Sequence, residues 1–192
     1  MTTRNTTGCR IVVVRMAGGH VVRVRFSAAR LDMESSQKEA KENGGTNLER
    51  ATLRDLDVFL ALEKKVSGSK IYSPTLDPEE AIREFETNVV YLIKKAGEAV
   101  GSIMYERKDK EHAYISGLAV DPQYQQQGIA RTALLSILDE LKDYKRIDLA
   151  VHPENERALK LYLSLGFKEE SRKENYYGDG EPRLILAKVS AT

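Results

Sequence analysis

The sequence predicts a mixed α/β (α+β) domain built on a mostly antiparallel, mixed central sheet flanked by about four helices. Three observations point there. From Asn47 onward the hydrophobic periodicity runs strand, two helices, three strands, helix, strand, helix, two strands. The three consecutive strands are joined by short polar turns, the pattern of an antiparallel meander. At 192 residues and 41% hydrophobic composition the chain can bury a sizeable core as one main domain, and it shows no internal repeat.

The first 31 residues stand apart. They carry Arg4, Arg10, Arg15, Arg23, Arg25 and Arg30 and no acidic residue, a charge of +6. Within them "RIVVVRMAGGHVVRVRF" alternates around Ala17-Gly18-Gly19-His20 and can form a hairpin. An Arg-rich, acid-free start also has the composition of a transit peptide. Residues 32–45, "DMESSQKEAKENGG", have linker composition and close on a double glycine. Residues 1–45 are therefore expected to be a basic extension and linker, either a hairpin or disordered, and residues 46–192 the functional domain.

Each element of that domain has its own signal. Thr52 to Val66 places Leu53, Leu56, Phe59, Leu60 and Leu62 behind a Thr-x-x-Asp start, and Asp77-Pro78-Glu79-Glu80 opens a second short helix. "VVYLIKK", "AVGSIMYE" and "AYISGLAV" form the meander, with turns around Gly97 and Asp109. A helix from about Gly128 to Asp143 turns Ala133, Leu134, Ile137, Leu138 and Leu141 to a core. "RIDLAV" is a strand, Asn155 to Leu165 a helix, and "FKEESRKE" and "RLILAKV" the closing strands.

Composition excludes several classes of function. A net charge of +1 gives no overall attraction for nucleic acid. Cys9 is the single cysteine and cannot form an internal disulfide, and no Cys/His cluster has metal-ligand spacing. No apolar run is long enough to span a bilayer. The expectation is a cytoplasmic protein, a monomer or weak dimer, without metal, nucleic-acid or membrane partners.

The stretch "QYQQQGIARTALL" sets Gln125, Gln126, Gln127, Gly128, Ile129 and Ala130 after a strand ending in "LAVDP" and at the opening of an amphipathic helix. Neither a G-x-x-x-x-G-K-[ST] loop nor a G-x-G-x-x-G turn is present. The first N–H groups of a helix lack intrahelical partners and lie at the positive end of its dipole. With a glycine and a small alanine there, successive N–H groups can cradle a pyrophosphate. Taken alone, the hexapeptide reads equally as a solvated surface turn.

A second constellation lies downstream. Asn155 and Tyr162 are seven residues apart and share one face of a helix. Asn155 can cap that helix and still contact a ligand, and Tyr162 offers a phenol able to give a proton to a leaving thiolate. Alone, the pair also reads as an N-cap and a core tyrosine.

Together these residues resemble the GCN5-related N-acetyltransferase (GNAT) superfamily. Its Q/R-x-x-G-x-G/A motif is matched by Gln125, Gly128 and Ala130, and its N-x-x-A-x-x-x-Y-x-x-x-G-F pattern by Asn155, Ala158, Tyr162, Gly166 and Phe167. The resemblance covers roughly residues 47 to 190. It implies a sheet whose middle strands splay apart and acetyl-CoA as cosubstrate, with the pyrophosphate on the backbone from Gln126 to Ala130. It further implies a CoA site completed by Gln125, Arg131, Asn155 and Ala158, with pantetheine along the strand holding Leu118, Ala119 and Val120. Tyr162 is then the general acid, and the backbone N–H of Leu118 or Val120 polarises the acetyl carbonyl.

The tail "ENYYGDGEPRLILAK" resembles protein N-terminal acetyltransferases of the bacterial ribosomal-protein type and their archaeal and eukaryotic counterparts. The resemblance implies that Tyr176 and Tyr177 close over a protein or peptide N-terminus, with Ile71 and Tyr72 of "GSKIYSP" as the opposite wall. One departure matters. Where many relatives carry a carboxylate or histidine base, twelve residues before the tyrosine acid, this chain has Ala150. Tyr114 acting through water is the favoured substitute, and His152 before Pro153 reads as a turn residue. Lysine side chains or a small amine such as a polyamine or drug are the alternative acceptors, and a non-catalytic acetyl-CoA-binding module is a third reading.

Overall fold

Six consecutive residues of one strand, Val100 to Tyr105, are buried, and that strand organises the sheet. The computed structural model describes residues 10–15 and 21–26, as backbone, and residues 45–68 and 71–190. The chain divides into two units, Met1–Glu39 and Ala40–Thr192. In the first, β1 (Arg10–Arg15) and β2 (Val21–Phe26) pair antiparallel, Arg10 opposite Phe26 and Arg15 opposite Val21. The expected turn at Ala17–His20 and the expected linker up to Gly44 lie outside the described residues, as do Ser69 and Lys70 of "GSKIYSP".

The second unit begins with β3 (Thr46–Arg50) and a 3-10 turn over Leu53–Asp55, fixed by a reciprocal cap between Thr52 and Asp55. There follow α1 (Leu56–Val66), α2 (Pro78–Thr87), β4 (Asn88–Lys95), β5 (Glu98–Arg107) and β6 (His112–Val120). A second 3-10 turn, Pro122–Tyr124, leads into α3 (Ile129–Glu140). The unit closes with β7 (Arg146–Val151), α4 (Glu156–Ser164), β8 (Lys168–Lys173) and β9 (Arg183–Val189). The seven-stranded sheet has the order β3-β4-β5-β6-β7-β9-β8. Every neighbouring pair is antiparallel except β6 and β7.

Both faces of β5 are covered, which is why its burial is unbroken. Ser102 reaches Glu63 of α1 on one face, while Tyr105 donates to Glu140 of α3 on the other. On the α3 side Ile129, Ala133, Leu134, Ile137 and Leu141 pack with Ile103, Tyr105, Ile115 and Leu149. Leu138 lies partly buried against that cluster. At the sheet's edge β8 exposes all six residues of "KEESRK", a charged border that discourages further strand addition.

The parting of β6 and β7 positions the site. Their parallel pairing runs only from His112 opposite Arg146 to Ile115 opposite Leu149, although β6 continues to Val120 and β7 to Val151. The parting starts at a bulge. Met104 faces Gly117 and Tyr105 faces Ile115, leaving Ser116 as the extra residue of β6. A bulge sharpens local twist, and here it turns the end of β6 away from β7. Among the described residues no helix is long and apolar enough to cross a membrane.

Candidate active site

At one side of this gap lies the N-terminus of α3. Gly128 is its N-cap with φ +78°, and Gln126 has φ +63°, so two left-handed residues bracket Gln127. Such a conformation is costly for a glutamine and directs successive N–H groups to one side. No side chain caps this helix. A Cβ built on Gly128 meets no atom within 4 Å, so the space over its backbone is open to a ligand. Anions are favoured at such a place.

The side chains of Gln125 and Gln127 turn to the protein instead. Gln125 Nε2 donates to the Val120 carbonyl at 3.0 Å, and Gln127 donates to the Gln123 carbonyl at 3.3 Å and accepts from Lys95 at 2.5 Å. Arg131, one turn into α3, donates to Ser164 of α4 at 2.9 Å. Asp121 caps the 3-10 turn through Gln123 N–H and pairs with Lys65 of α1 at 2.6 Å. The loop is thus held from several sides while its N–H groups face outward.

Backbone polarity continues into the gap. Asp121 N–H donates to Val100 on β5, so by alternation the polar groups of Ala119 face β5 and those of Leu118 and Val120 face the other way. On that other side β7 has already parted from β6. The N–H groups of Leu118 and Val120 therefore point into the gap.

Tyr162 enters from α4, which Asn155 caps by accepting from Ala158 N–H at 3.2 Å. The ring packs edge-on against Phe167, with centroids 5.9 Å apart, and only 8% of the residue is exposed. Burial pushes its phenol up to about 12, with a further push from Tyr177. Its hydroxyl has no hydrogen-bond partner among the described residues, yet it is not one of their sealed, unsatisfied polar atoms. The phenol is therefore a protonated donor.

The other wall comes from the β8–β9 connection. Tyr114 of β6 and Tyr177 place their hydroxyls 3.0 Å apart, and Tyr176 meets Tyr177 edge to face at 4.8 Å. Burial carries the Tyr114 phenol far above its ordinary range, followed by the influence of Tyr177 and Tyr176, so it stays protonated. Arg183 lies over the Tyr177 ring at 5.1 Å and donates to Asp179 at 2.6 Å and to Ser73 at 2.8 Å. Ser73 donates to Asp179 at 2.9 Å. The loop carrying Ile71 and Tyr72 is thereby fastened to the loop carrying the tyrosine pair.

Tyr72 points inward to a residue the sequence reading passed over. Its hydroxyl sits 3.2 Å from both carboxylate oxygens of Glu63, which also accepts from Thr75 N–H at 3.2 Å and Ser102 Oγ at 3.4 Å. Glu63 is 1% exposed, and burial raises its carboxyl from the usual 4.5 to about 7. The Tyr72 phenol is driven well up by burial, then by Glu63, and it lies within electrostatic reach of Tyr162 and Tyr177. The signal was present: Leu56, Phe59 and Glu63 fall on one helical stripe, so an acid occupies a core position.

The two described histidines, His112 and His152, take structural places. His152 accepts from Glu154 N–H at 3.1 Å and meets Glu181 at 3.1 Å, tying β7's end to the β8–β9 connection. His112 contacts Asp148 at 2.8 Å at the paired end of β6 and β7, away from the gap. Among the described residues no group of three or more His, Cys, Asp or Glu side chains could hold a metal ion.

An open glycine-led helix N-terminus, a parted parallel strand pair and a buried tyrosine phenol occur together in this unit. The chain belongs to the Acetyltransferase (GNAT) family, which it matches over residues 59–167. It is 41% identical over 82 residues to the [ribosomal protein bS18]-alanine N-acetyltransferase of Escherichia coli, covering 40% of this chain and 55% of that protein. The match thus spans about half the length of that relative. The crystal structure of the Escherichia coli ribosomal-protein-S18-alanine N-acetyltransferase superposes with a TM-score of 0.66 at 27% identity, over 77% of this chain and 96% of that one. An N-alpha-acetyltransferase of Sulfurisphaera tokodaii is 26% identical over 163 residues, 78% of this chain and 96% of its own. An acetyl-CoA-bound family member from Elizabethkingia anophelis shares the fold, with a TM-score of 0.62 at 19% identity over 77% of this chain and all of that one.

Proposed function

We propose that this chain is an acetyl-CoA-dependent N-acetyltransferase acting on the N-terminal α-amine of proteins or peptides, with residues 46–192 as its catalytic domain and residues 1–45 as an extension. The observation that carries the reading is the Tyr114–Tyr177 hydroxyl pair, which lays the β8–β9 connection beside the same gap that Tyr162 enters. The N–H groups from Gln126 to Ala130 hold the CoA pyrophosphate, and the strand from Leu118 to Val120 lines the pantetheine. Bound acetyl-CoA supplies an activated thioester. Leu118 or Val120 N–H stabilises the developing oxyanion, and Tyr162 protonates the leaving sulfur.

Ala150 leaves β7 without a carboxylate at this point. That favours an α-amine, whose pKa of about 7.7–8.0 leaves a substantial neutral fraction near pH 8, over a lysine amine at about 10.4. Tyr176, Tyr177, Ile71 and Tyr72 bind the acceptor's first residues. Mass spectrometry of peptides bearing both a free N-terminus and an internal lysine, with spermidine as a third substrate, tests the reading. Acetylation of the α-amine is expected. Modification of lysine or spermidine alone makes the protein a side-chain or small-amine acetyltransferase, and no turnover with intact CoA binding makes it a binding module.

A further inference from the structure

The acceptor must lose a proton before it can attack; β7 has Ala150 where a base would stand, and its one carboxylate, Asp148, is held by His112 and Arg146 at the paired end of the strand. Glu63, on α1, is buried against the loop after that helix and β5, with three hydrogen-bond donors trained on it and one of them, Tyr72, within electrostatic range of Tyr162 and Tyr177. We propose that Glu63 is the proton-accepting end of a relay that begins at the Tyr72 hydroxyl, so that α1 and its loop supply the base function missing at Ala150. The proposal rests on acetyl transfer to an amine and is independent of which amine it is.

The geometry fits a relay. Tyr72 Oη is equidistant from both Glu63 oxygens, so its O–H already donates to the carboxylate while its lone pairs remain to accept. The ammonium N–H bond breaks as its proton passes, directly or through one water, to Tyr72 Oη. In concert the Tyr72 O–H bond breaks and that proton passes to Glu63, leaving Tyr72 a phenol throughout. The nitrogen's second proton, released as the amide forms, replaces the one Tyr162 gives to sulfur. Glu63 returns its proton to water by the reverse route, so one proton is released per turnover.

A group working near neutral pH must be poised there. Burial, helped by Glu84 of α2, raises the Glu63 carboxyl, while the Thr75 N–H, Tyr72 and Ser102 hold it down. Tyr72 and Glu84 are the titratable groups facing it, and Thr75 and Ser102 are uncharged donors. Without the donors a carboxyl this buried would stay protonated and accept nothing. Glu63 acts through Tyr72, which makes it a positioning residue for proton removal.

Three measurements on the full chain test this. First, ¹³C NMR of the free protein should show a carboxyl titrating near 7 that is missing in Glu63→Gln; a midpoint below 5 overturns the proposal. Second, Glu63→Gln should lower kcat about 10²-fold and erase the acidic limb of the kcat–pH profile, while Glu63→Asp restores part of both. The acceptor's own titration is common to all variants, so the difference between profiles belongs to Glu63. Third, calorimetry should find CoA affinity unchanged. A folded Glu63→Gln protein with a wild-type profile shape overturns the proposal, whatever its rate. If that variant does not fold, Tyr72→Phe decides: loss of the acidic limb supports the relay and an unchanged profile ends it. Failure of the wild-type protein to acetylate any amine is a separate result, and it refutes the functional reading instead.

Discussion

Tyr114 and Tyr177, sixty-three residues apart in sequence, meet hydroxyl to hydroxyl at 3.0 Å and join β6 to the β8–β9 connection. Each phenol is a hydrogen-bond partner of the other, and Tyr114 also has Tyr176 within hydrogen-bonding influence. Replacing both Tyr176 and Tyr177 by Ala should raise the peptide KM while CoA affinity stays the same, because only the acceptor wall is lost. Steady-state kinetics paired with calorimetry check it. Tyr114→Phe should lower kcat without reshaping the pH profile, since burial keeps this phenol protonated through the working range.

Gly128 tests the proposed cofactor end. Gly128→Pro forces φ to about −65° where the backbone has +78°, and Gly128→Glu sets a carboxylate where phosphate is expected. Both should abolish CoA binding by calorimetry. Gly128→Ala is more discriminating. In the free protein its Cβ meets open space, so the cost in thermal unfolding is limited to the left-handed backbone, about 1–2 kcal/mol. CoA affinity should fall by more than that, because the methyl occupies the approach.

Tyr162→Phe separates chemistry from architecture. The hydroxyl has no hydrogen-bond partner among the described residues, so its removal should leave Tm unchanged. Turnover should fall roughly 10²-fold with CoA affinity intact. Wild-type turnover in this variant would remove Tyr162 from the mechanism.

Glu63 makes stability depend on pH. Its carboxyl is raised from 4.5 to about 7 in the folded protein, so between those values the native state holds a proton that the unfolded chain has released. Stability from this group is full below about 4.5 and is lost as pH rises through about 7, by about 3 kcal/mol at 1.36 kcal/mol per pH unit. Denaturant unfolding across pH 5 to 8 should show this decline in the wild type. Glu63→Gln should flatten it and be the more stable protein at pH 8.

Local chemistry made most of the fold readable, and non-local contacts account for what stayed hidden. The closing strand "RLILAKV", the Gly128 helix start and the Asn155 cap are written in neighbouring residues, and they appear where periodicity and capping place them. The first helix was legible except at its start, where the Thr52–Asp55 cap tightens Leu53–Asp55 into a 3-10 turn. The Ser116 bulge was not legible, since an extra residue exists only relative to a partner strand. Nor was the fastening of Ser73 to Asp179 and Arg183, over 106 and 110 residues of sequence. Glu63 lay between these cases: its stripe showed a core position, and the donors that make an acid tolerable there come from Tyr72, Thr75 and the distant Ser102.

The place of β9 in the sheet carries a consequence for how the protein comes into being. Among the described strands it is last in chain order, yet it is inserted between β7 and β8, bonded along Val151 to Arg146 on one side and Lys168 to Lys173 on the other. Until Arg183–Val189 arrives, β7 has an open edge and the Tyr176–Tyr177 connection has no second anchor. Non-local strand insertion is slow compared with helix formation. The helix N-terminus at Gly128, proposed to hold the cofactor, can therefore be shaped on a growing chain before the proposed acceptor wall is, so that a nascent molecule would gain the first before the second.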